Sequence, residues 1–151
     1  RGDRAHWLEL ARTNAAYGIE TRRNERSSVA DQLEELKEAL GLEQRPERLE
    51  CFDVSHTAGE STVASCVVFG SEGAVKTDYR RFNITDVAAG DDYGALRQAL
   101  MRRYTRIKRG EAALPDLLLV DGGKGQLNAA MAAFRDQQIT PPTVISLMTF
   151  T

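Results

Sequence analysis

The chain has 151 residues, of which 42% are hydrophobic and 28% are charged, and its formal net charge is −2. This length and composition fit one domain of ordinary size with enough apolar residues for a core, and the charge argues against a strongly basic nucleic-acid binder, so any nucleic-acid contact must come from a local basic patch. No apolar run approaches the roughly 18 residues of a membrane span, and residues 1–14 lack a signal-peptide core, so we expect a cytoplasmic protein without a membrane partner.

Apolar residues at helical spacing predict two helices at the start of the chain. The first is predicted over residues 1–17, with Gly18 as its stop, and a polar and basic loop follows over residues 21–27. The second runs to Leu40, where Gly41 is expected to end it.

The pattern changes after Pro46, so we expect a helical lead-in segment over residues 1–46 and a second domain over residues 47–151. Residue patterns and turn signals in this domain predict strands over 49–55, 62–69 and 74–84, a helix over 91–108, a strand over 116–121, a helix over 125–137 and a strand over 144–147. Three antiparallel strands followed by α/β units on one mixed five-stranded sheet is the layout of a ribonuclease-H-like α/β fold.

Asp53 lies inside the strand-like segment Leu49 to Ser55, between the apolar residues Phe52 and Val54. A carboxylate within a strand is costly unless it is paired or bound to a cation. Two interpretations are open: an aspartate at a strand end that caps a turn or pairs with a basic side chain, or a metal ligand.

Asp121 ends the apolar run that begins at Leu117, and a glycine-rich turn and a helix follow it. Functional groups gather at the carboxyl ends of strands in α/β sheets. Lys124 in this turn can reach a phosphate, but Gly125 stands where a Walker A loop requires serine or threonine, so a nucleotide-binding module has weak support. The alternative interpretation is that Asp121 only caps the following helix.

The two aspartates together predict more than either does alone. If their strands are neighbours, the carboxylates of Asp53 and Asp121 converge at one place. Two hard oxygen ligands with room for water suit Mg²⁺ or Mn²⁺. Metal-assisted phosphodiester hydrolysis needs such a pair, so we expect the two aspartates on adjacent strands to share one divalent ion.

A basic stretch with interleaved aromatic residues surrounds the predicted helix over residues 91–108. Arginines can hold phosphates and aromatic rings can stack on bases, whereas the alternative interpretation is a solvated helix face. The candidate DNA-contacting residues are Arg80, Arg81, Tyr93, Arg102, Arg103 and Arg106.

Five motifs follow one another along the second domain. They are Leu49–His56, Val63–Phe69, Asp78–Ile84, Gly90–Tyr93 and Leu114–Ala130. In content, order and spacing they resemble the C-terminal half of proteins of the UvrC family. Members of this family are the DNA-incising subunit of bacterial nucleotide excision repair. The resemblance covers about Leu49 to Ile145 and, more weakly, the helical lead-in.

The resemblance implies a ribonuclease-H-like endonuclease domain that makes the incision 5′ to a lesion in damaged double-stranded DNA. It also implies that the full-length protein works with UvrB. Asp53 and Asp121 match the family's catalytic aspartates around a Mg²⁺ or Mn²⁺ ion, and Lys124 matches its lysine next to the site.

The family's catalytic histidine lies on a helix after the fifth strand, and this chain ends at Thr151, before that helix. His6 and His56 belong to other segments and are not assigned its role, and the tail departs from the family pattern from Ser146 onward. We therefore expect the chain as given to cut DNA poorly or not at all. The alternative function is a catalytically inert fragment that binds DNA or a repair partner.

Overall fold

A computed structural model describes residues 2–57 and 61–147. The chain divides between Arg45 and Pro46 into two compact units, and Ser71–Gly73 belong with the first. In chain order the helices and strands are α1 (Gly2–Leu40), β1 (Arg48–Thr57), β2 (Ser61–Gly70), β3 (Gly73–Ala74), β4 (Arg80–Asn83), α2 (Asp92–Lys108), β5 (Leu117–Asp121), α3 (Lys124–Gln137) and β6 (Thr143–Leu147).

The first unit contains one continuous helix, α1, so the prediction of two helices was wrong. Gly18 lies inside this helix, since a glycine in a helix interior costs only about 1 kcal/mol. The arginines and glutamates that follow Gly18 are good helix formers, which offsets this cost. The predicted end is confirmed, because Gly41 follows Leu40 with a φ of 64°, a conformation that glycine adopts at little cost.

The second unit is built on a mixed sheet in the order β3-β2-β1-β5-β6, with β4 also paired with β2. β1 and β2 are antiparallel, whereas β5 runs parallel to β1 and to β6. This topology confirms the expected ribonuclease-H-like mixed α/β sheet, in which antiparallel strands precede parallel α/β units.

The predicted third strand over residues 74–84 is interrupted. β3 and β4 are separated by a short 3₁₀ turn, Lys76–Asp78. The turn is polar, and its Asp78 accepts a hydrogen bond from the Arg48 guanidinium at 2.7 Å. An ion pair with the start of β1 thus replaces sheet pairing at this point.

Helices α2 and α3 pack on the sheet and form the apolar core of the second unit together with it. The buried side chains of α2 recur every four residues and include Leu96, Leu100 and Tyr104, as predicted. Tyr104 packs edge-on against Phe134 of α3, with ring centroids 4.5 Å apart. The same cluster contains Phe52 at the centre of β1, and full burial of such a side chain contributes about 1.5–3 kcal/mol.

Two predictions extend beyond the described residues. The turn expected between the first two strands contains Gly59, and the expected domain end is Thr151; both lie outside the described ranges. None of the helices in residues 2–57 and 61–147 is long and apolar enough to cross a membrane.

Candidate active site

Asp53 and Asp121 lie side by side on two adjacent parallel strands: Asp121 ends β5, and Asp53 lies in β1 just after the last residue that pairs with β5. Phe52 of β1 is level with Val120 of β5, and the two aspartates are the next residues along each strand. Both side chains are exposed to solvent, and their carboxyl groups are within hydrogen-bonding reach of each other. The strand adjacency expected from the sequence is therefore confirmed.

The electrostatics of this pair favour a positive charge between the carboxylates. Partial burial, and then the negative charge of Asp121, raise the pKa of Asp53 above its usual value, and Asp92 adds to the effect. Burial together with the same two carboxylates also raises the pKa of the nearby Cys51 thiol. Two carboxylates this close cannot both ionise at low cost unless a proton or a cation compensates them.

A small open cavity surrounds the two aspartates. Its lining residues are Asp53, Val54, Asp92, Asp121, Gly122 and Gln126. Sequence reasoning assigned neither Asp92 nor Gln126 to the site. A second aspartate directly after the capping Asp91 was the available signal, since one side chain suffices to cap the helix.

The glycine-rich turn after β5 is held by hydrogen bonds that do not involve Asp121. Gly122, with a φ of 135°, donates its N–H to the carbonyl of Leu147 at 2.8 Å. A Cβ at Gly122 would collide with the Gln126 side chain, whose Oε1 accepts the Gly123 N–H at 2.9 Å. Gly123 is the N-cap of α3, so capping does not account for Asp121.

The pairing explanation for Asp53 is likewise without support. Within residues 2–57 and 61–147, none of the salt bridges involves Asp53. Its charged neighbours are the carboxylates of Asp121 and Asp92. The described residues thus give Asp53 no basic partner, and its nearest charged groups are negative.

Lys124 and Tyr93 lie at the turn beside the cavity. Lys124 is the first residue of α3 and is exposed. Tyr93, in the first turn of α2, is 53% exposed. Its ring packs so closely on Gly125 that any Cβ there would collide with it. Glycine at this position therefore lets the starts of α2 and α3 approach each other.

The candidate basic residues divide by their contacts. Arg81 of β4 is exposed and pairs with Ser65, which in turn pairs with Asp53. The three residues form one row on the same side of the sheet, which puts Arg81 roughly 10 Å from Asp53 at the usual strand spacing. Arg106 is exposed and forms an ion pair with Glu111 at 3.2 Å.

Two further arginines bond to backbone carbonyls while keeping their charge. Arg80 donates to the carbonyls of Thr77 and Tyr79. Arg102 donates to the carbonyl of Asn83 at 2.8 Å, and its guanidinium lies 5.4 Å from the centre of the Phe82 ring. These carbonyl bonds neutralise neither guanidinium, so both remain able to attract a phosphate.

Arg103 requires a correction. It is only 2% exposed, and its guanidinium donates to the fully buried Glu50 carboxylate, with the closer contact at 2.7 Å. A side chain enclosed in the core cannot reach a DNA phosphate, so Arg103 is removed from the DNA-contact set. Arg103 lies three residues after Leu100 and seven after Leu96 on α2, and this spacing was a signal for the core-facing side.

Comparisons with known proteins identify the family of this chain. A family model described as "UvrC RNAse H endonuclease domain" matches residues 37–149. A UvrABC system protein C of Pseudomonas putida strain KT2440 is 57% identical over 147 residues, which are 97% of this chain and 24% of that protein. One of Pseudomonas entomophila is 61% identical over 130 residues, or 86% of this chain and 21% of that protein. The chain thus spans less than a quarter of the length of these curated relatives.

Solved structures share the fold at low identity. Two crystal structures of Ciona intestinalis endonuclease V in complex with inosine-containing DNA each align with a TM-score of 0.50. The first is 14% identical and covers 71% of this chain and 48% of its own. The second is 12% identical and covers 89% of this chain and 58% of its own. The likeness concerns the ribonuclease-H-like fold alone.

Proposed function

This chain belongs to the UvrC RNase H endonuclease domain family, and we propose that it is a metal-dependent DNA endonuclease domain that makes the 5′ incision beside a lesion in bacterial nucleotide excision repair. The observation that carries the proposal is the juxtaposition of Asp53 and Asp121 on adjacent parallel strands. The arrangement brings two hard oxygen ligands to an open cavity where a phosphate can enter.

The donor set fits a divalent ion that keeps much of its water. Within the described residues, no group of three or more histidine, cysteine, aspartate or glutamate side chains is close enough to hold a metal ion. Asp53 and Asp121 would therefore be the direct protein ligands, and water would complete the shell, as Mg²⁺ or Mn²⁺ tolerates. A bound ion of this kind supplies an activated water and neutralises charge on the phosphate.

The other residues of the site would bind and orient the DNA backbone. Lys124, exposed at the start of α3, would hold a phosphate next to Asp121. Arg81 would hold a phosphate further along the strand, because it lies in the same row as Asp53 on the same side of the sheet. Tyr93 presents an exposed ring on which a base can stack.

The substrate and the partner follow from the family. We propose damaged double-stranded DNA as substrate and UvrB as partner of the full-length protein, since the relatives are named as component C of the UvrABC system. We also propose that residues 1–46 are a lead-in segment and that residues 47–151 are the nuclease domain. The division of the described chain between Arg45 and Pro46 supports this boundary.

The effect of Asp53→Asn on thermal stability is expected to have opposite signs without and with metal. The pKa of Asp53 is raised in the folded protein, so its ionised form is less favourable in the folded than in the unfolded state. Asp53 therefore lowers the free energy of unfolding as the pH rises above the ordinary aspartate range. Without metal at neutral pH, the asparagine variant should therefore melt at the same or a slightly higher temperature. With Mn²⁺ at about ten times its Kd, wild type should gain about 1.4 kcal/mol and the variant much less.

Thermal unfolding in EDTA and in Mn²⁺ measures both effects. Asp136→Asn is the matched control, because Asp136 lies on α3 in an ion pair with Arg97 and does not line the cavity. An equal stabilisation of wild type and Asp53→Asn by Mn²⁺ would place the ion elsewhere.

Arg81→Gln is expected to reduce the salt dependence of DNA binding by about one unit of the log–log slope. Arg81 is exposed, and the described residues give it no ion-pair partner. Arg106→Gln is the comparison, since Glu111 already neutralises that charge, and its effect should be smaller. Fluorescence anisotropy at several salt concentrations gives both slopes; an unchanged slope in Arg81→Gln would mark Arg81 as a solvated surface charge.

A further inference from the structure

The cavity of the proposed nuclease site contains a third carboxylate on a different element. Asp92 is the first residue of α2 and lines the cavity with Asp53 and Asp121. Its negative charge contributes to raising the pKa of Asp53. The three carboxylates do not form a group that could hold an ion directly, so Asp92 would act on a bound cation through a water molecule.

The Asp92 carboxylate is held by an imidazole at the end of β1. Nε2 of His56 lies 2.5 Å from Oδ1 of Asp92. An ionised carboxylate only accepts hydrogen bonds, so the hydrogen of this contact belongs to Nε2. Among the hydrogen bonds of the described residues, this is the contact that holds the Asp92 carboxylate; it involves Oδ1 and does not engage Oδ2.

His56 is itself held from the opposite side. Its Nδ1 lies 3.0 Å from Oγ1 of Thr62, and Thr62 is its partner in the antiparallel pairing of β1 with β2. The imidazole therefore connects the sheet to the first residue of α2. A ring bonded through both nitrogens has one orientation, which is how such groups align the ligands of a metal site.

Neighbouring contacts position the backbone of this helix start but leave the carboxylate free to rotate. Asp91 caps α2 by accepting the N–H of Gly94 at 3.0 Å, and Tyr93 packs on Gly125 of the turn after β5. Both contacts place the Cα of Asp92 beside the cavity. The direction of its carboxylate is then set by His56.

We propose that His56 is a positioning residue for cation binding. Held by its hydrogen bond with Thr62, His56 orients Asp92 so that Oδ2 of Asp92 bonds a water molecule of the bound cation. That cation is the one shared by Asp53 and Asp121. The inference rests on the proposed function, because it needs that ion. It gives His56 no contact with the DNA or with the reacting atoms. Its effect is on the geometry of the water shell around the ion.

Mn²⁺ titration of the whole chain, followed by electron paramagnetic resonance of the free ion, tests this role without an activity assay. His56→Ala should weaken Mn²⁺ binding roughly tenfold, the low end of the range for groups that hold a metal-site residue. His56→Gln retains an N–H donor near the position of Nε2 and should stay within about twofold of wild type. Thermal unfolding of each variant in EDTA reports whether the fold is intact.

The double variant separates positioning from a general structural effect. Asp92→Asn alone should weaken Mn²⁺ binding, and adding His56→Ala should weaken it no further, since both changes remove one interaction. Full additivity, or wild-type affinity in His56→Ala, would overturn the proposal. Asp53→Asn separates the role of His56 from the shared ion itself. If Asp53→Asn leaves the Mn²⁺ affinity unchanged, the shared ion and the proposed function are both wrong. If Asp53→Asn weakens Mn²⁺ binding while His56→Ala does not, only the role of His56 is wrong.

Discussion

Asp121→Asn is expected to reduce DNA incision by roughly 100- to 1,000-fold, the loss that corresponds to several kcal/mol of transition-state stabilisation by a metal site. The asparagine keeps the size of the side chain but removes half of the charge that Asp53 and Asp121 present together. The assay uses a chimera in which this chain replaces the matching 147 residues of the Pseudomonas putida UvrABC system protein C. The substrate is a lesion-bearing duplex already nicked on the 3′ side, and the partner proteins are present.

The control for this prediction is Asp136→Asn, which should incise at the wild-type rate because the Asp136–Arg97 ion pair lies outside the cavity. DNA affinity should be unchanged or slightly higher in Asp121→Asn, since a negative charge is removed next to the phosphate. Incision that survives in Asp121→Asn would contradict the nuclease proposal. A chimera that binds DNA but does not incise would favour the alternative of an inert binding fragment.

Glu50→Gln should destabilise the fold by about 3–5 kcal/mol, the cost of leaving a buried charge without its partner. Glu50 has no exposed surface, and one of its oxygens accepts hydrogen bonds from Arg103 at 2.7 Å and from Arg48 at 3.2 Å. Removing the carboxylate charge leaves the Arg103 guanidinium enclosed between α2 and the sheet. Denaturant unfolding of wild type and variant measures the difference.

The matched variant for this pair is Glu50→Leu combined with Arg103→Leu. Replacing both charges with apolar side chains removes the cost of desolvation, so the double variant should recover most of the stability lost in Glu50→Gln. A double variant that is destabilised by more than Glu50→Gln would mean that packing around these side chains, and not the unpaired charge, sets the cost.

The strand and helix pattern of the second unit could be predicted because burial imposes it locally. The continuous apolar run from Leu117 to Val120 marks a strand buried in the sheet, and the spacing of Leu96, Leu100 and Tyr104 marks a helix face. Where a local signal was weak, tertiary context decided. Gly18 did not end α1, and the polar turn at Lys76–Asp78 interrupted a strand that composition alone made continuous.

Asp53 and Asp121 could be predicted because both lie on strands with a strong local pattern. Asp121 ends an apolar run and Asp53 lies between Phe52 and Val54, so their convergence required only that β1 and β5 be neighbours. Asp92 and His56 are 36 positions apart, and their contact depends on where α2 begins relative to the end of β1. No local pattern records that distance, so sequence reasoning placed neither residue at the cavity.

The most direct test of the shared ion is anomalous scattering from a crystal of the protein soaked in Mn²⁺. A peak bonded to one oxygen of Asp53 and one of Asp121, at a usual metal–oxygen distance of roughly 2.0–2.3 Å, with its remaining ligands water, is the predicted result. A second crystal of Asp53→Asn should lose the peak. A manganese ion bound only at other side chains, or none at saturating Mn²⁺, would contradict the assignment of these two aspartates as the metal site.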